Sequence, residues 1–148
     1  MFCPLCQHQN TKVVDSRVSQ GGLSVRRRRE CLNCGHRFST LEEMEILDLV
    51  VEKRDGRRES YQKEKLIRGL ERALEKRNFS REDFHSLVQK IERDIQRTKK
   101  QSISSEEIGK IVMDHLRNFD QVAYIRFASV YRSFEDVESF QQELNQLK

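Results

Sequence analysis

All four cysteines of this 148-residue chain fall before residue 35, in two pairs: Cys3-Pro-Leu-Cys6 and, after 24 intervening residues, Cys31-Leu-Asn-Cys34. A CxxC pair turns two thiolates onto one metal from a single tight turn. Two such knuckles complete a tetrahedral sulfur site, the geometry and ligand softness that suit zinc. Pro4 and Gly35 fit these turns, Gly35 by tolerating a positive φ just after Cys34. Between the pairs, Thr11–Val18 and Leu23–Glu30 read as strands around a turn at Gly21-Gly22. Two knuckles bridged by a hairpin describe a zinc ribbon with one ion per chain. Four thiolates leave no open position for a reacting water, so the expected role is structural. Disulfides do not suit the cytosol, and no thioredoxin-like pattern surrounds either pair. Without metal, about 40 residues with few large apolar groups should not fold.

Charge is unevenly divided. The whole chain has a formal net charge of +4. Residues 1–40 hold seven Lys and Arg against Asp15 and Glu30, a net of +5, which leaves −1 for the remainder. Arg26-Arg27-Arg28-Arg29 lies on the second ribbon strand, where alternation sends Arg26 and Arg28 to one face and Arg27 and Arg29 to the other. Arg17 lies on the partner strand. A solvated charged strand is the plain reading of an arginine run. On a small basic zinc ribbon the run points instead to nucleic acid, because arginines neutralise phosphates and their forked heads read guanine edges.

The rest of the chain reads as a β-hairpin followed by helices. Leu47–Lys53 and Arg57–Tyr61 flank a turn at Asp55-Gly56. Leu66, Ile67, Leu70, Ala73 and Leu74 share one helical face, and Phe84, Leu87, Val88, Ile91 and Ile95 share another behind Ser80 as N-cap. Ser104 and Glu107 form a capping-box pattern before Ile108, Ile111, Val112 and Leu116. Asp120 starts a further helix running to Phe134, and Val137–Leu147 a last short one. Thr98–Ser102 reads as a loop. The fold class is therefore α+β, a zinc ribbon followed by a mainly helical body with a small β-hairpin cap.

No apolar run approaches the roughly 18 residues of a membrane helix; the longest, near Ile46–Val51, is broken by Asp48. Met1-Phe2-Cys3-Pro4 lacks the basic and apolar regions of a signal peptide, so the expected location is cytoplasmic, with no membrane partner. The chain has no P-loop and no HExxH motif. His8, His36, His85 and His115 are scattered, and no nucleophile has a companion base, so an enzyme is not expected. Two stretches remain. Lys53-Arg54-Asp55-Gly56-Arg57-Arg58 sets cations beside a flexible turn, which suits a triphosphate. Tyr124-Ile125-Arg126-Phe127-Ala128-Ser129-Val130-Tyr131-Arg132 mixes aromatics with arginines, which can stack on a base and hold phosphates.

These residues resemble the bacterial NrdR repressors of ribonucleotide reductase genes. The ribbon cysteines, Asp15-Ser16-Arg17, Arg26–Arg29 and Arg37-Phe38 are similar to the family's N-terminal part. Lys53-Arg54-Asp55-Gly56 and Val122–Arg132 are similar to its ATP-cone. The resemblance implies a zinc-ribbon DNA-binding domain over residues 1–46, an ATP-cone over 47–137 and a C-terminal helix or tail over 138–148. It implies binding of double-stranded operator DNA through Arg17, Arg26, Arg27, Arg28 and Arg29. It implies ATP and dATP as allosteric ligands at Val51, Lys53, Arg54, Lys65, Tyr124 and Tyr131, and a homo-oligomer whose size follows the nucleotide. Glu52 stands where the family commonly has an apolar residue, and Ser60-Tyr61-Gln62 where it often has Pro-Phe-Asp. The competing reading is a zinc-ribbon protein-interaction module without nucleotide switching.

Overall fold

The computed structural model describes every residue of the chain except Gln20, Leu47, Glu135, Gln146 and Lys148. Leu47, the expected start of a strand and of the second domain, lies outside the described residues, as do Gln146 in the last expected helix and Lys148 in the tail. The chain forms two compact units, Met1–Glu45 and Ile46–Lys148.

The first unit is an antiparallel sheet of β1 (Thr11–Val18), β2 (Ser24–Cys31) and β3 (Arg37–Glu43) in the order β1-β2-β3. The expected hairpin is β1 and β2; β3 is an additional strand on the far edge of β2, with Arg29 opposite Phe38 and Arg27 opposite Thr40. The two cysteine turns repeat one backbone design. Cys3 N donates to His8 O and Gln7 N to Cys3 O; Cys31 N donates to His36 O and Gly35 N to Cys31 O. The residue after each CxxC is left-handed, Gln7 at φ 58° and Gly35 at φ 68°, a conformation that glycine adopts without the Cβ penalty. Among the described residues of this unit only Cys3, Ser24 and Cys31 are buried. The sheet has no apolar core of its own.

The second unit places β4 (Val50–Glu52), β5 (Arg58–Ser60), α1 (Lys63–Ala73), α2 (Arg81–Arg97), β6 (Ser102–Ser104), α3 (Ser105–Phe119), α4 (Gln121–Tyr131) and α5 (Val137–Asn145) in chain order. Its sheet runs β5-β4-β6. β4 is antiparallel to β5, with Val51 opposite Glu59, and parallel to β6, with Val50 opposite Ser102. β6 replaces the end of the expected Thr98–Ser102 loop. Its single apolar residue, Ile103, is buried and joins Val51, Leu70, Ile91, Val112 and Leu116 in the core.

Helix starts follow local chemistry. Ser80 Oγ accepts from Asp83 N at 3.0 Å while Ser80 N donates to Asp83 Oδ2 at 3.3 Å. Ser104 and Glu107 make the same reciprocal box before α3, and Asp120 Oδ1 accepts from Ala123 N at 2.8 Å to cap α4. Each satisfies backbone donors that a helix start leaves orphaned. Ser80→Ala is expected to lower stability by about 1 kcal/mol and Ser80→Gly by only a few tenths, read as urea midpoints. Among the described residues no helix is long and apolar enough to cross a membrane.

Candidate functional site

In the first unit the four sulfur atoms lie within 4.8 Å of one another. Cys3 Sγ is 3.7 Å from Cys34 Sγ, and Cys6 Sγ is 3.6 Å from Cys31 Sγ. A zinc–sulfur bond of about 2.3 Å sets the edges of a tetrahedron at about 3.8 Å, so the cluster has the size of a zinc site. The backbone prepares it. The His8 N–H, aimed at Cys6 Sγ, is the main cause that lowers this thiol to about 6. The Cys34 and Asn33 N–H groups lower Cys31 in the same way. For Cys34 the His36 N–H favours the thiolate, but burial and the neighbouring sulfurs outweigh it and push the thiol up to about 12. Four thiolates this close repel unless a cation sits among them, and a bound divalent ion removes that conflict. Asn33 Nδ2 also approaches Cys6 Sγ at 3.9 Å. The donor set and spacing fit a zinc ion.

The arginines divide between the two faces of β2. Arg27 Nε donates to Glu42 at 2.8 Å, and Arg29 Nε to Thr40 Oγ1 at 3.3 Å. Both are half-buried and tied into the sheet. Arg26 and Arg28 are exposed, and neither has a hydrogen bond or ion pair among the described residues. Arg26 lies opposite Arg17 on β1 and Arg28 opposite Asp15, so Arg17, Arg26 and Arg28 share one face of the sheet. Arg17 is exposed and, among the described residues, bridges only to Asp15, at 3.1 Å. Exposed pairs of this kind are weak, about 0–1 kcal/mol, and open readily toward a phosphate.

In the second unit a cavity of about 180 Å³ opens where β4, β5, α1, α3 and α4 converge. Val51, Leu66, Ile108, Val112 and Phe127 give it an apolar lining, and Lys53, Glu59, Gln62, Lys65 and Ser105 supply polar groups. Gln62 and Ser105 stand at the N-terminal ends of α1 and α3, so two helix dipoles present their positive ends here. The α1 start has no side-chain cap, and the Lys65 N–H turns back to Gln62 O at 3.1 Å. Lys53 Nζ lies 3.0 Å and Lys65 Nζ 2.8 Å from Glu59. The Lys65 ammonium, then that of Lys53, holds Glu59 below the usual carboxylate range.

Of the residues the sequence singled out, Val51, Lys53, Lys65 and Tyr131 meet in this cavity. Arg54 stands at its edge. Its Nη2 donates to Tyr131 O at 2.7 Å, its guanidinium lies 5.6 Å from the centre of the Tyr131 ring, and its Nε is 3.5 Å from Glu106. Tyr124 is elsewhere. It is 5% exposed, does not line the cavity, and donates its hydroxyl to the buried Glu143 of α5, which also holds Arg132 at 2.6 Å. Glu52 does not line the cavity either. It accepts from Arg58 at 2.5 Å and from Ser102 Oγ at 2.8 Å, joining β5 and β6 across β4, and those two partners lower its pKa. Its charge is therefore paired with residues of the two neighbouring strands. Glu59, Gln62, Ser105 and Gly109 line the cavity without having been singled out. Glu59 is legible only once the register sets it opposite Val51, and Gly109 only as a lone glycine inside a helical pattern.

Residues 1–42 match the family model described as "Transcriptional repressor NrdR-like, N-terminal domain", and residues 49–137 match the ATP cone domain. The chain is 48% identical over 147 residues to a protein of Halalkalibacterium halodurans named transcriptional repressor NrdR, covering 99% of this chain and 96% of that one. Relatives bearing the same name are 50% identical in Listeria monocytogenes, with the same coverage, and 47% identical in Synechocystis, covering 100% of this chain and 92% of that one.

Proposed function

The chain belongs to the NrdR family of transcriptional repressors, and on that premise we propose that it is a nucleotide-sensing repressor of ribonucleotide reductase operons, a regulator rather than an enzyme. The carrying observation is the union, in one chain, of a basic four-cysteine ribbon with a cationic cavity at two helix starts. In this reading Cys3, Cys6, Cys31 and Cys34 hold one structural zinc ion. Arg17, Arg26 and Arg28 meet the phosphates and base edges of double-stranded operator DNA, while Arg27 and Arg29 stiffen the sheet behind them.

ATP and dATP occupy the cavity. Lys53, Lys65 and the positive end of the α1 dipole take the phosphates, Val51 and Tyr131 bound the remainder, and Arg54 closes the edge. Tyr124 contributes by anchoring α4 through Glu143. Residues 1–46 form the DNA-binding domain, 47–137 the nucleotide-binding domain and 138–148 a C-terminal helix and tail, and the protein works in the cytoplasm. A ligand shifts an assembly only by binding its forms unequally. ATP and dATP therefore set the size of a homo-oligomer, and that size sets how many ribbons engage spaced sites at once, which raises avidity without new contacts. The protein-interaction alternative leaves the nucleotide cavity without a role and is not favoured.

Native mass spectrometry with ATP and with dATP, paired with operator gel shifts, tests this directly. Two different mass distributions with two different operator affinities are expected; identical ones would refute it. Arg26→Ala and Arg28→Ala should each weaken operator binding and each flatten the dependence of log K on log salt by about one. Arg27→Ala should leave that slope nearer its original value.

A further inference from the structure

Gly109 stands inside α3, where glycine is among the poorest helix formers, and it is buried. A Cβ placed on it would lie 2.0 Å from Tyr131 Cε2, 2.5 Å from Cζ and 2.6 Å from Cδ2. No flexible chain end makes this contact; it is the face of an aromatic ring, resting on the helix backbone. Gly69, which also lines the cavity, shows no such need: a Cβ there would find Phe127 at an ordinary 3.8 Å.

The Tyr131 ring is fixed on three further sides. Its hydroxyl donates to Glu106 O at 2.5 Å, one turn before Gly109 on the same helix. Phe127 stacks beside it at 6.0 Å between ring centres. Arg54 lies over it at 5.6 Å and bonds its carbonyl. Gly109 and Tyr131 both line the cavity.

We propose that Gly109 is a positioning residue for the nucleotide pocket: its bare backbone is the seat on which the Tyr131 ring lies as one wall. A β-carbon at this position lifts the ring from α3. The hydroxyl then loses Glu106 O, Arg54 loses the surface it covers, and the wall moves relative to Lys53 and Lys65. This inference rests on the reading of the cavity as the nucleotide site.

The test uses the full zinc-loaded chain and calorimetric titration with ATP. Gly109→Ala is expected to weaken ATP binding at least tenfold. Alanine is the better helix former, so helix weakening alone predicts no loss. The decisive comparison is with Tyr131→Ala. Adding Gly109→Ala to Tyr131→Ala should change ATP affinity less than twofold, because no ring remains to displace. Should Gly109→Ala alone fail to fold, the double variant is expected to fold, since removing the ring removes the clash. Unchanged ATP affinity in Gly109→Ala overturns the inference, as does an equal loss in the two backgrounds or a double variant that also fails to fold. If the unsubstituted chain binds no ATP, the reading of the cavity fails, and this inference with it.

Discussion

Cys31→Ser is expected to unfold Met1–Glu45 and abolish operator binding while ATP still binds the remainder of the chain. The reason is the burial pattern: in that unit only Cys3, Ser24 and Cys31 are buried among the described residues. A sheet of 23 strand residues with no apolar interior has little besides its metal to offset the ordering of its backbone, which costs about 1–2 kcal/mol per residue. Structural zinc contributes about 10–16 kcal/mol in small peptide sites near neutral pH, and that binding energy is folding energy. Losing one thiolate removes most of it. A strong chelator should reproduce the variant, and added zinc should reverse the chelator but not the substitution. Loss of β signal in circular dichroism, a missing gel shift and an ATP titration within about twofold of the original chain form the expected set. Operator binding by a metal-free chain would refute the argument. Loss of ATP binding together with DNA binding would show that the two units do not fold independently.

The second large effect is expected at the cavity. A single Lys53→Ala or Lys65→Ala removes one charge-assisted contact to phosphate, worth about 1.5–3 kcal/mol, or roughly 10- to 150-fold in affinity. The double variant does more than add the two, because Glu59, a carboxylate held by both lysines, loses both partners and stands in the cavity as an uncompensated anion facing a triphosphate. A loss of about 1000-fold or more in ATP affinity is expected. Folding should be little affected, since both lysine–Glu59 pairs are partly open to solvent and neither lysine belongs to the buried core. ATP binding by the double variant within threefold of the original would place the phosphates elsewhere.

What could be read from the sequence was what depends on near neighbours. The cysteine turns need only the spacing within each pair. Ser80, Ser104 and Asp120 announce helix starts because a cap reaches just three residues ahead. The parts that escaped depend on distant partners. β6 is Ser-Ile-Ser, three residues with one apolar side chain, and becomes a strand only because Val50 lies opposite Ser102. β3 shows no clean alternation and is organised by β2. Tyr124 and Tyr131 are seven residues apart, nearly two full turns, so helical periodicity puts them on one stripe. Their different surroundings come from Glu143, which covers Tyr124 from α5 and whose placement no local pattern foretells. Glu52 is next to Lys53 in the sequence, yet Arg58 and Ser102, from two other strands, take up its carboxylate.

The parallel pairing of β4 with β6 has a consequence for the lifetime of the protein. It brings the hairpin that carries Lys53 alongside the strand that leads into α3, so the cavity draws on residues from Val51 to Tyr131. No fragment much shorter than the second unit contains the whole site, and a partly opened chain has none. If the cavity is the nucleotide site, nucleotide binds only the closed form, and at 100 times its dissociation constant adds about 2.7 kcal/mol to that unit's stability. Proteases that cut the transiently opened chain should then clear it roughly 100-fold more slowly when nucleotide is abundant. The nucleotide supply would thus govern how long each repressor molecule survives, alongside the form it takes.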